Sequence, residues 1–328
     1  MIGKEAKAKD GRNLSIDLIK IIAMLGVISL HCNMDRLDNM VAFVISRIAG
    51  ISIPLFFMVS GYLLLEKGGD WRYSLRKIFG IIKFVFLCSL VFSILYVIVH
   101  QQFNINVVGI FLRSFIQKGP LWMFWYFGAM CLLYLLLPIL KWADNRWDYF
   151  YPKLFVCLLC FDFIVFILTF SSHWEYNVIQ SFRIWNWLTY FSLGLIIHKY
   201  QLHIPVNVFV VLISAIIFVA FVYFSRNYID GIEYFFTAPL CMIYAALFFV
   251  KIHSLRIQTN NIVTKLSPLF LPVYTIHYFV IKGFRNHITS DYLGIWTPLF
   301  DYLAIAAITL LSCYLIMQVP LAKRFFRI

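Results

Sequence analysis

Along the chain, apolar residues recur in blocks separated by short polar stretches, at residues 14–32, 41–65, 78–99, 120–140, 153–170, 182–198, 205–224, 234–251, 266–282 and 295–318. A helix rising about 1.5 Å per residue needs roughly 20 apolar residues to cross the hydrocarbon core of a bilayer. The pattern therefore predicts an all-α fold: a polytopic membrane helical bundle of about ten transmembrane helices. Residues 103–117 are shorter and mixed in character, which suits an amphipathic helix lying in the interface or a plain loop. The expected organisation is a tail at 1–13, one transmembrane domain at 14–320 and a second tail at 321–328. Basic residues precede the first block as in a signal peptide, but no small-x-small cleavage site follows it, so it reads as a retained helix.

Composition agrees with the pattern. Of 328 residues, 62% are hydrophobic and 13% charged, against about a quarter charged in soluble domains, so an ordinary soluble globule is excluded. The net charge of +13 could suggest nucleic acid, but the basic residues sit between apolar blocks without an aromatic-interleaved stripe. A lipid bilayer, and no nucleic acid, is the expected partner. With the N-terminus inside, eighteen lysines and arginines fall on its side of the membrane and seven on the other. That bias predicts both termini in the cytoplasm. The seven cysteines lie in or beside apolar blocks, where thiols act as small hydrophobes. Cys157 and Cys160 form a C-x-x-C inside a span without a second pair, so neither a disulfide framework nor a metal site is expected.

Charge inside a span is costly and marks function. The first block carries Asp17, Lys20 and His31. At about 100° per residue, Lys20 and His31 point within roughly 20° of each other, and Asp17 lies on the same side. His31 sits about 16 Å further along the axis than Lys20. Asp17 and Lys20 are equally readable as an interfacial ion pair. The second block reads Ile53-Pro54-Leu55-Phe56-Phe57-Met58-Val59-Ser60-Gly61, where Pro54 frees a carbonyl and Ser60-Gly61 permits close helix approach. Arg47, near its outer end, either lines a cavity or snorkels to the interface. Arg72 and Arg76 share a helix face, with Lys77 beside them, a fork that suits phosphate. A basic inner loop is also what membrane topology alone produces. Asp162 and Asp301 are intramembrane carboxylates that could partner Arg47, Arg183 or Lys282.

The order of these motifs resembles the acyltransferase-3 family from about residue 12 to 318. Lys20 and His31 fit its basic residue, ten residues, then histidine. Phe56-Phe57-Met58-Val59-Ser60-Gly61 looks like its Phe-Phe-x-x-Ser-Gly, and Arg72, Arg76 and Lys77 are similar to its basic loop. Gly119-Pro120-Leu121-Trp122 followed by Tyr134 and Pro138 resembles its fourth-helix pattern, and Tyr274-Thr275-Ile276-His277 its late Tyr-x-x-His. The chain departs from the pattern in having Lys20 where arginine is commoner and no proline soon after Arg76.

The resemblance implies a membrane-bound glycan O-acetyltransferase of the bacterial inner membrane. It would use acetyl-CoA as co-substrate, with no permanently bound cofactor, and a glycan or lipid-linked sugar such as O-antigen as acceptor. Arg72, Arg76, Lys77 and Ser60 would then handle the donor. His31 would be the general base on a sugar hydroxyl, with Lys20 and Asp17 ordering the polar channel. Trp122, His277 and Arg47 would serve the acceptor side. Trp122, Trp125 and Tyr126 could equally form an aromatic interface belt, and a covalent route through His31 or a serine stays open. The alternative is an exporter of a glycan or lipid-linked intermediate with His31, Asp17 and Asp162 as a proton relay; the lack of internal repeats weighs against it.

Overall fold

The computed structural model describes residues 13–33, 38–64, 70–229, 231–255, 257, 259–287 and 292–326. The tail to residue 12, and with it Lys4, Lys7, Lys9 and Arg12, lies outside the described residues, as do Arg36, Lys67, Arg256 and Arg327. Among the described residues every regular element is helical. In chain order they are α1 (Leu14–Cys32), α2 (Met40–Ile48), α3 (Ser52–Leu64), α4 (Trp71–His100), α5 (Val107–Ser114), α6 (Trp125–Arg146) and α7 (Phe150–Ser172). There follow α8 (Ile184–Lys199), α9 (Val208–Ser225), α10 (Pro239–His253), α11 (Asn261–Leu266), α12 (Phe270–His287), α13 (Thr297–Ile316) and α14 (Pro320–Phe325).

Among the described residues, seven segments are long and apolar enough to cross a membrane: Leu14–Cys32, Met40–Leu64, Trp71–His100, Trp122–Arg146, Phe150–Ser172, Val208–Ser225 and Gly294–Ile316. The remaining three predicted blocks fall on α8, α10 and α12, which are shorter or more polar. The physical reason is position. Helices α4, α7, α9 and α13 present rows of exposed apolar residues, such as Ile94, Ile98, Ile164, Ile213, Ile216 and Leu311, as lipid-facing helices do. Helix α8 instead buries Asn186, Thr189 and Ser192, and α12 buries His277. An interior helix is freed from being apolar all round.

Asn13 and Asn39 cap α1 and α2 by accepting backbone N–H groups in their first turns. Pro54 has no N–H for the Gly50 carbonyl, and the Met40–Leu64 segment tightens into a 3-10 turn over Ala49–Ile51. The expected interfacial segment forms α5, capped by Asn106. Residues 321–325, expected as the start of a tail, form α14 together with Pro320, and the Phe325 and Phe326 rings lie 5.4 and 6.0 Å from Phe84 of α4.

Helix α3 is the centre of the bundle, held by close backbone contacts. A Cβ on Gly61 of α3 would stand 2.0 Å from the Phe191 carbonyl oxygen of α8, and one on Gly194 of α8 would stand 2.0 Å from the Met58 carbonyl oxygen of α3. On α1, a Cβ at Gly26 would meet the Ser52 hydroxyl at 2.0 Å. The chain's direction alternates around this centre. Asn13, before α1, donates to the Tyr62 hydroxyl near the end of α3 (3.4 Å), and that hydroxyl bonds His253 Nε2 at the end of α10 (3.0 Å). At the far end, Arg285 of α12 donates to the Cys32 carbonyl of α1.

Gly61→Ala or Gly194→Ala must push two helix backbones apart, so each should cost about 3 kcal/mol or more. The check is the yield of monodisperse protein and its melting in detergent. Gly283→Ala, with nothing within 4 Å of the added carbon, should be neutral or slightly stabilising. Equal behaviour of the three variants would show that the glycine crossing does not hold the bundle.

Candidate active site

The last turn of α1 and the middle of α12 bring two histidines together. The rings of His31 and His277 are stacked, with centroids 5.2 Å apart and planes inclined by 29°. Trp122 meets His31 edge-on at 5.1 Å, and Tyr278 closes the group at 5.5 Å from Trp122 and 6.4 Å from His31. His277 is fully buried, and its Nδ1 lies 3.0 Å from the Val273 carbonyl oxygen. A carbonyl only accepts, so Nδ1 carries the proton and Nε2 of the neutral ring holds the lone pair. That Nε2, like Nδ1 of His31, is buried without a hydrogen-bond partner among the described residues.

His31 and Trp122 also line a cavity of about 450 Å³ on the side of the bundle where α1 ends, together with Arg47, Trp125, Tyr176, Gln180, Glu233 and Tyr234. This size is typical of a small-ligand site. Arg47 is only 6% exposed, with its guanidinium 4.9 Å from the Phe43 ring. It therefore lines the cavity rather than snorkelling.

On the opposite side of the histidines the interior continues as a column of aromatic hydroxyls. Tyr274 stands 6.2 Å from His277 and 5.8 Å from Tyr126, ring to ring. The Tyr126 hydroxyl lies 3.3 Å from Ser60 Oγ, which donates to the Phe56 carbonyl. Tyr126 is thus a buried member of this column, not part of an interface belt. Further along, Tyr134 of α6 faces Tyr73 of α4 at 6.4 Å. Arg72 and Arg76 flank Tyr73 in sequence and stand exposed on the first turns of α4, with Lys77 half-buried. Asp17 and Lys20 pair with each other at 3.1 Å, about 16 Å down the helix from His31. They form an ion pair, and the geometry gives them no contact with the histidines.

Asp162 accepts a short hydrogen bond from Thr189 of α8, and Tyr292 donates to Asp301 at 2.6 Å. Arg183 pairs with Glu175, both buried, at 3.7 Å, and donates to the carbonyls of Val178, Glu175 and Glu233. Its guanidinium lies 4.6 Å from the centre of the Tyr234 ring, on which Tyr176 stacks almost parallel at 3.7 Å. Arg183 thereby ties together the 173–183 and 231–236 segments that wall the cavity. Burial raises the Glu175 carboxyl to about 7, against the pull of Arg183 and with help from the Glu233 charge. Neither Glu175 nor the Tyr176–Tyr234 stack has a signal in the sequence, because irregular loops have no periodicity to read.

The fold and site define a multi-pass membrane protein with a histidine pair between a cavity and an aromatic column. The family profile described as an acyltransferase domain matches residues 13–318, and the chain belongs to this acyltransferase-3 family. A curated serine/alanine racemase of Enterococcus gallinarum is 27% identical over 140 residues, covering 39% of this chain and 20% of that protein. The match thus spans about a fifth of the racemase's length. No solved structure matches the chain.

A carboxyl raised by folding binds its proton more tightly in the folded state. Its stabilising contribution is complete below the ordinary value and is lost as pH rises through about 7. Glu175→Gln should therefore lose less melting temperature than wild type between about pH 5 and about pH 8. Superimposable pH profiles in detergent melts would refute the assignment.

Proposed function

We propose that the protein is an O-acyltransferase of the bacterial inner membrane, both termini in the cytoplasm, that moves an acetyl group from cytoplasmic acetyl-CoA to a hydroxyl of an envelope glycan on the outer side. The observation that carries this reading is the stacked His31–His277 pair, with Trp122 at its edge, standing where the outer cavity meets the tyrosine column. A group transferred between two aqueous sides needs such a meeting point.

In this reading the donor's phosphates are held by Arg72, Arg76 and Lys77 through charge-assisted hydrogen bonds. Its pantetheine arm runs up the column past Ser60, Tyr126 and Tyr274 to present the thioester at the histidines. The acceptor hydroxyl approaches from the cavity beside Trp122, and Arg47 holds a neighbouring polar group of the sugar. His31 takes the hydroxyl proton as the oxygen attacks the thioester carbonyl. The new C–O ester bond forms, the C–S bond breaks, and the proton passes from His31 to the leaving thiolate, giving acetylated glycan and CoA. Lys20 and Asp17 order the inner mouth of the channel. The exporter alternative asks His31, Asp17 and Asp162 to relay protons, but Asp17 is held by Lys20 and Asp162 by Thr189. Neither pair includes His31, which favours transfer.

Membranes carrying wild type should move labelled acetyl from acetyl-CoA to envelope glycan, and His31→Ala, inserted at equal level, should lose at least about a hundredfold of that rate. Transfer unaffected by the substitution would remove His31 from the chemistry; no transfer by wild type would favour the exporter. Arg72→Ala/Arg76→Ala should raise KM for acetyl-CoA about tenfold while leaving the glycan KM unchanged. An unchanged acetyl-CoA KM would place the donor elsewhere.

A further inference from the structure

The cavity beside His31 has two aromatic ends with different supports. Trp122 and Trp125 belong to the start of the fourth apolar segment, and Trp122 adjoins His31. Tyr176 and Tyr234 come from the two outer loops and are fastened to each other and to Arg183. Gly231 shapes this wall: it sits at φ +95, and a Cβ there would stand 2.8 Å from the Glu233 carboxylate. Between the loops lies Gln180, 6% exposed and lining the cavity, whose amide oxygen is buried without a hydrogen-bond partner among the described residues. A buried acceptor left unmade is costly, and because the Gln180 side chain lines the cavity, a small rotation would offer its oxygen to a ligand donor. Aromatic faces at both ends with an unmet acceptor between them suit sugar rings, which offer C–H faces for stacking and hydroxyls for donation.

We propose that Tyr176, stacked on Tyr234, and Gln180 form a second sugar subsite, which holds the pyranose residue next to the one whose hydroxyl is placed at His31. The inference rests on the transfer reading above and narrows its substrate class: the acceptor is an oligosaccharide of at least two sugar residues, not a free monosaccharide or a lipid alcohol. Tyr176 supplies the stacking face and the Gln180 amide oxygen accepts a hydroxyl hydrogen. Arg183 and Glu175 act through the loops as positioning residues.

The test uses the full chain carrying His31→Ala in lipid nanodiscs, so that bound glycan is not converted. The probes are oligosaccharides cut from the host's envelope polysaccharide after alkaline removal of its O-acetyl groups, and methyl glycosides of its component sugars. Binding is read from tryptophan emission, since Trp122 and Trp125 line the same cavity. Oligosaccharides should bind saturably and at least about tenfold more tightly than the methyl glycosides, an advantage that Tyr176→Ala abolishes and Tyr176→Phe keeps. Gln180→Leu should weaken oligosaccharide binding several-fold. An unchanged melting temperature for Tyr176→Ala separates loss of the subsite from loss of the fold. Equal affinity with and without the Tyr176 ring, equal affinity for mono- and oligosaccharides, or no saturable binding would overturn the subsite. Tyr176-dependent binding by a chain that transfers no acetyl would retire the transfer reading and keep the subsite. Acetyl transfer with a glycan KM indifferent to Tyr176→Ala would do the reverse.

Discussion

Within a bilayer, helices gain little from hydrophobicity when they associate, because lipid tails are as apolar as leucine; contact comes from close packing where small residues let backbones approach. The crossing of α3 with α8 is such a contact, made reciprocally: each helix brings a glycine against a carbonyl of the other. Much of the site depends on it. The crossing sets Phe57 of α3 against Trp187 of α8, stacked at 4.6 Å, and Trp187 in turn packs on Trp125 at 5.2 Å. Trp125 and the adjoining Tyr126 begin α6, so the same contact fixes one wall of the cavity and one rung of the aromatic column. Gly26 then brings α1, and with it His31, against the other side of α3.

Two kinds of constraint therefore meet at the histidines. From below they are positioned by helix packing, which is rigid and encoded by small and aromatic residues at fixed spacing. From above, the cavity is closed by loops, which are held by one buried cation. Arg183 satisfies three carbonyls, one carboxyl and one ring face. Such a hub lets an irregular segment stay ordered, satisfying backbone groups that would otherwise need water.

The sequence was most legible where physics imposes a period. The apolar blocks located the helices because the bilayer demands length, and the eleven-residue step from Lys20 to His31 placed both on one face because a helix repeats every 3.6 residues. A shared face is not a shared depth: the axial rise that the same geometry dictates sets Lys20, paired with Asp17, about 16 Å from His31. Helices α8 and α12 were weaker signals because burial among protein relieves them of an apolar lipid face. His277 was legible as a mid-span polar residue, but its partner was not: stacking on His31 depends on α1 and α12 lying side by side, which no local pattern encodes. The Glu175–Arg183 pair and the Tyr176–Tyr234 stack were invisible for the same reason, being contacts between loops far apart in sequence.

The tautomer of His277 separates the two chemistries that an intramembrane histidine pair could support. A relay needs each ring to accept a proton on one nitrogen and release it from the other. His277 has Nδ1–H committed to the Val273 carbonyl within its own helix, so releasing that proton would break a hydrogen bond in a buried setting where its replacement by water is costly. Its bare Nε2 can still accept a hydrogen bond or orient a neighbour. His31 has no such commitment at Nδ1 and borders the cavity. Under the transfer reading proposed above, one ring fixed by its own backbone and one ring bordering the cavity suits taking a proton from a bound group at one place.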